Sequence, residues 1–87
     1  MTYKFFIDDN VIKDLKKIDK KWQVKILDVI KTKLVKNPYA GKKLVGNLSE
    51  YYRYRVGNYR IIYEIIEEDI VVVILKIKHR KNIYRND

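Results

Sequence analysis

The hydrophobic positions change their period once along the chain, near residue 50. Tyr3 to Ile7 forms a short strand-like run, and Asp8, Asp9 and Asn10 follow with residues suited to capping a helix. Val11, Ile12, Leu15 and Ile18 then recur at helical spacing and predict a first amphipathic helix. Asp19 can cap a second. Trp22, Ile26, Ile30 and Leu34 give that helix a stripe at four-residue intervals, and Asn37 precedes Pro38, where the clash before proline should end it. Together these segments predict a helical hairpin. Tyr39 to Glu50 carries Gly41, Gly46, Asn47 and Ser49 and reads as a loop. Beyond it the pattern becomes that of strands: Tyr51–Val56, Tyr59–Ile66 and Ile70–Ile77 are rich in aromatic and β-branched residues. Gly57-Asn58 and Glu67-Glu68-Asp69 mark the turns between them.

The expected fold is α+β. An N-terminal strand and a helical hairpin pack on a twisted antiparallel sheet, in the order β-α-α-β-β-β. Residues 1–87 hold no linker, repeat or low-complexity segment, so a single domain is expected.

The Gly57-Asn58 turn has a consequence for chemistry. A two-residue turn pairs Val56 with Tyr59 and sets Arg55 directly opposite Arg60. Arg53 then lies on the same face, while Tyr52, Tyr54, Ile61 and Tyr63 point to the other, towards the helices. Like charges across a ladder destabilise a sheet. Such a face is either well solvated or answered by an anion: Glu64 of the same chain, a partner's carboxylate or a phosphate.

Charge sharpens this reading. Twenty Lys and Arg against eleven Asp and Glu leave a net charge of +9, which suggests a polyanionic or acidic partner. A Lys-rich solvated surface is the plain alternative. The cations are segregated, however. Residues 1–50 contain twelve Lys and no Arg, and all five Arg lie at Arg53, Arg55, Arg60, Arg80 and Arg85. Guanidinium is the better group for forked phosphate contacts, so the C-terminal part is the candidate site. The strand at Ile70–Ile77 runs into Lys78-His79-Arg80-Lys81 and then Tyr84-Arg85, adding the chain's one His to the basic cluster. Tyr84 is suited to stacking on a base.

Other chemistries have little to build on. With no Cys and one His there is no ordinary zinc site and no disulfide; no metal or cofactor is expected, and a reducing, cytoplasmic setting fits. Ser49, the one Ser, sits in a loop without the turn that exposes a nucleophile, and no phosphate-cradling glycine motif occurs. The longest apolar run, Ile70 to Leu75, is too short to cross a bilayer, and the N-terminus lacks the apolar core of a signal peptide, so no membrane association is expected.

The run from Lys43 to Ile65 contains Tyr-Arg-Tyr-Arg-Val-Gly-Asn-Tyr-Arg, and the chain ends in His79-Arg80-Lys81-Asn82-Ile83-Tyr84-Arg85. These segments resemble toxins of the RelE/ParE superfamily, and the His-Arg-x-x-x-Tyr-Arg ending favours RelE over ParE. The helical hairpin is compatible, so the resemblance spans essentially the whole chain. It implies a toxin of a type II toxin–antitoxin system: a metal-independent endoribonuclease that enters the ribosomal A site, cuts the mRNA there and is neutralised by a RelB-like antitoxin. It implies that Arg53 and Arg55 occupy the family's two basic strand positions, that Arg60 contacts phosphate, that Arg80 is the C-terminal basic group and that Tyr84 stacks on a base. Lys81 and Arg85 are expected to help hold the RNA. The best-known branch has Lys where this chain has Arg53 and Arg55. Arginine stays protonated and cannot serve as an ordinary general base. His79, a Tyr84 phenolate, water or a ribosomal group must then take the proton, and His79 is the favoured candidate. The rival readings are a ParE-like DNA gyrase inhibitor, a non-catalytic RNA- or ribosome-binding module, and a catalytically dead member acting through its partner.

Overall fold

Alternation of side chains along paired strands decides which residues meet the helices and which face outward. In a computed structural model that describes residues 2–46 and 50–79, five strands form one sheet: β1 (Lys4–Ile7), β2 (Lys42–Lys43), β3 (Tyr51–Val56), β4 (Tyr59–Ile66) and β5 (Val71–His79). Their order across the sheet is β1-β5-β4-β3-β2. Helices α1 (Asp9–Lys16) and α2 (Lys20–Val29) cover one face.

The expected α+β fold is present, with one correction to its sheet. β1 pairs with β5 in parallel, Lys4 opposite Val71 and Ile7 opposite Ile74, so the sheet is mixed rather than antiparallel. The chain leaves β1, crosses the sheet face as the helical hairpin and returns through β3 and β4 before β5 docks beside β1. Period identifies strands but not their neighbours, which is why the direction of this pairing was not legible. A second difference is β2, which lies in the expected loop and pairs Lys42 with Arg53.

Local chemistry explains the element boundaries. The Asp8 side chain accepts a hydrogen bond from the Asn10 amide and starts α1. Asp19 occupies the same position before α2 without a side-chain cap bond. Residues Ile30–Leu34 continue α2 as a π-helical segment, closed by Val35 N–H donating to the Ile30 carbonyl. Four-residue steps drift by about 40° each around a regular α-helix. The wider π turn counters this drift and brings Leu34 onto the buried face with Ile26 and Ile30.

The core lies between these helices and the inner sheet face. Val11, Leu15, Ile26, Ile30 and Leu34 meet Val56, Ile61, Tyr63, Val72, Ile74 and Ile77. Tyr63 is fully buried, and its hydroxyl donates to the Pro38 carbonyl at 2.6 Å. Burial pushes this phenol up to about 12, against a smaller lowering by the Gly41 backbone.

The third predicted strand shifts towards the C-terminus. Ile70 has φ of 53° and belongs to the turn, its carbonyl accepting the amide of Lys4, while β5 runs on to His79. No helix among the described residues is long and apolar enough to cross a membrane.

Candidate nucleic-acid interface

The outer sheet face, which carries no helix among the described residues, is built in rows, because residues paired across a ladder project to the same side. The Gly57-Asn58 turn pairs Val56 with Tyr59, and Arg55 stands opposite Arg60. Gly57 has φ of 58°, with no positive φ at Asn58, as a type II′ turn requires. Glycine is needed here for a second reason: a Cβ at this position would lie 2.3 Å from the Trp22 ring.

The first row is Arg55, Arg60 and Lys78, on three successive strands. The second is Lys42, Arg53, Ile62 and Lys76. Six cations therefore occupy two adjacent rows. The third row, Tyr51, Glu64, Val73 and Phe6, brings the one carboxylate of the three. No ion pair joins any of these cations to a carboxylate among the described residues. The sequence pattern had located the three arginines on one face. It had missed Lys42 and Lys76, and it had named Lys78 in the C-terminal basic run without placing it on this face, because these positions depend on pairings that alternation alone does not reveal.

A groove of about 490 Å³ opens between the basic and apolar parts of this face. Leu44, Tyr51, Arg53, Arg60, Ile62, Leu75 and Lys78 line it. Leu75 enters the lining because of a bulge: Ile62 pairs with Lys76 and Tyr63 with Ile74, leaving Leu75 as the extra residue of β5. The Nε atom of Arg60 is buried and has no hydrogen-bond partner among the described residues. The guanidinium is thus partly shielded from water in a field of like charge, where an anion is strongly favoured.

His79 is separated from this constellation. It pairs with Tyr59, so its side chain lies on the inner face, away from Arg60 and Lys78. Its ring meets Tyr59 edge-on with centroids 4.8 Å apart, and Tyr59 in turn meets Trp22 at 5.8 Å. Of the expected site residues, Arg53, Arg55 and Arg60 are brought together and His79 is not. Arg80, Lys81, Tyr84 and Arg85 lie outside the described residues. No cluster of three or more His, Cys, Asp or Glu placed to hold a metal ion occurs among the described residues.

Comparison with known proteins gives this geometry a family setting. Residues 5–84 match the family model described as the ParE toxin of the type II toxin–antitoxin system parDE. The chain is 32% identical over 91 residues to the putative toxin RelE1 of Methanocaldococcus jannaschii, covering 99% of both proteins. Among solved structures it is similar to the toxin–antitoxin complex RelBE2 of Mycobacterium tuberculosis, with 28% identity and a TM-score of 0.86 over 92% of this chain and 100% of that one. It is also similar to the archaeal RelE–RelB complex of Pyrococcus horikoshii, with 31% identity and a TM-score of 0.67 over 92% of this chain and 97% of the other.

Proposed function

Because the chain belongs to the RelE/ParE superfamily of type II toxin–antitoxin toxins, we propose that it is a ribosome-dependent endoribonuclease that cuts mRNA in the A site. The observation that carries this reading is the row Arg55–Arg60–Lys78 beside Arg53, a concentration of cations on an open face with no ion pair to a carboxylate among the described residues. A phosphodiester supplies the missing charge.

In this reading the ribose 2′-hydroxyl attacks the adjacent phosphate. The bond to the 5′ oxygen of the next nucleotide breaks, leaving a 2′,3′-cyclic phosphate and a 5′-hydroxyl. Charge on the pentavalent phosphorane is met by Arg55 and Arg60, with Arg53 orienting the strand. Arg80 completes the basic set, and Tyr84 stacks on the neighbouring base. Guanidinium cannot accept the 2′-hydroxyl proton. His79 is the one imidazole, and its inner-face position against Tyr59 favours a packing role over proton transfer. The proton then passes to a Tyr84 phenolate, to water or to a ribosomal group, and water or a ribosomal group returns one to the departing 5′ oxygen. A domain of 87 residues offers little surface to bend an RNA into line, which accounts physically for dependence on the ribosome.

The partner is a RelB-like antitoxin. Of the solved complexes cited above, one is a toxin–antitoxin complex, RelBE2, and the other a RelE–RelB complex, and a chain of +9 net charge favours an acidic segment over its basic face.

Incubation with programmed ribosomes and mapping of mRNA ends tests the reading. Cuts within the A-site codon that leave cyclic phosphate are expected, and His79→Gln is expected to retain them. The match to a ParE family model favours one second reading, inhibition of DNA gyrase. Loss of supercoiling activity with mRNA left intact would establish that reading instead.

A further inference from the structure

The groove has two chemically distinct ends, and each contains a residue to which the resemblance gives no role. At the basic end Lys78 lies directly across the ladder from Arg60, and both line the groove with Arg53. At the other end Tyr51 stands among Leu44, Ile62 and the bulged Leu75. A volume of about 490 Å³ lies in the range of clefts that hold one small ligand, roughly 300–1,000 Å³. Cations at one end and an aromatic with apolar neighbours at the other match the two parts of a nucleotide, its phosphate and its base.

We propose that Lys78 and Tyr51 are substrate-contacting residues of one nucleotide subsite: Lys78 with Arg60 holds a phosphate of the RNA, and Tyr51 takes the adjoining base against Leu75. The inference rests on the nuclease reading and deepens it. Lys78 is exposed and places a point charge beside the guanidinium of Arg60, so one phosphate can bridge the two. Tyr51 is half-buried and borders Arg53, and it is positioned by its pairing with Glu64 and by Leu44 N–H donating to the Tyr51 carbonyl. An aromatic face accepts any base, and the restricted width left by Leu44 and Leu75 makes purines and pyrimidines fit unequally. Lys78 therefore supplies affinity without regard to codon, whereas Tyr51 contributes to codon preference.

The test is single-turnover cleavage on programmed ribosomes carrying a series of A-site codons, with the full chain and the variants Lys78→Gln, Lys78→Arg, Tyr51→Ala and Tyr51→Phe. Circular dichroism checks that each variant is folded. Lys78→Gln is expected to lower kcat/KM about tenfold at every codon, and Lys78→Arg to restore it. Tyr51→Ala is expected to lower the rate by about fivefold or more and to change the ratio between codons, while Tyr51→Phe keeps the wild-type ratios. If wild type cleaves and Arg60→Ala does not, but Lys78→Gln and Tyr51→Ala match wild type, the subsite is refuted and the nuclease reading stands. If wild type itself cleaves no codon, both fall. Loss of activity in Tyr51→Phe equal to that in Tyr51→Ala would overturn the stacking role.

Discussion

Arg60 shows how much one pairing can decide. Its position opposite Arg55 follows from Gly57-Asn58, and this part of the site was legible because a two-residue turn leaves no freedom of register. His79 was harder to place. Its neighbours in sequence are cationic, yet the side of the sheet it occupies depends on the β4–β5 register, which the bulge at Leu75 shifts. Adjacent residues of a strand point to opposite faces, so closeness in sequence to Lys78 sets His79 apart from it. Gly57 is the residue on which the whole arginine face turns. Gly57→Ala should destabilise the protein by more than about 1 kcal/mol, because a Cβ is strained at this positive φ and also meets Trp22. Urea denaturation checks this, and a variant as stable as wild type would mean that Trp22 moves aside without cost.

Among the elements, the helices were the most legible, since their apolar stripes have no competing explanation. The unwinding at Ile30–Leu34 was not anticipated, although a stripe at strict four-residue spacing already fits poorly on an α-helix of 3.6 residues per turn. β2 was missed because two consecutive lysines carry no alternation; the strand exists through its pairing with β3. The turn before β5 contains a β-branched residue in left-handed conformation, Ile70, whose carbonyl anchors the edge strand β1 through Lys4. Backbone strain of this kind costs on the order of 1–2 kcal/mol. Ile70→Gly should therefore stabilise the fold by up to about 1 kcal/mol, read as a rise in Tm. A fall would show that the side chain's packing outweighs the relieved strain.

At the scale of the whole molecule, charge and pH tie distant parts together. Glu67 at the β4–β5 turn accepts the hydroxyl of Tyr3 ahead of β1, and Tyr39 lies within hydrogen-bonding influence of the same carboxylate. These hydroxyls hold Glu67 below its ordinary value of 4.5, while hydrogen bonding to Glu67, then desolvation, raises Tyr39 to about 12. The signs follow from linkage. A lowered carboxylate contributes stability that is present above 4.5 and is lost as pH falls through its folded value. The raised phenols of Tyr39 and Tyr63 contribute stability that is complete below 10.0 and is lost as pH rises through about 12. Denaturant midpoints across pH should accordingly fall at both extremes. Glu67→Gln should flatten the acid limb, and Tyr63→Phe should reduce the alkaline loss while lowering stability near neutrality by about 1–3 kcal/mol, because the Pro38 carbonyl loses its donor. Unchanged limbs in both variants would show that these groups do not govern the pH dependence.

The distribution of cations has the same global character. Most lysines are spread over the N-terminal half, whereas Arg53, Arg55 and Arg60 converge through pairing on one sheet face with Lys42, Lys76 and Lys78, and the net charge alone does not distinguish these two uses. The central claim is that this face acts on RNA. Its most direct measurement is the rate of mRNA cleavage on programmed ribosomes by wild type and by folded Arg60→Ala. Cleavage in the A-site codon that falls by about a hundredfold or more on loss of Arg60 is the predicted result, in line with removal of a group that stabilises transition-state charge. Equal cleavage by the two proteins, or no cleavage at any codon by wild type on ribosomes from a matched source, would contradict it.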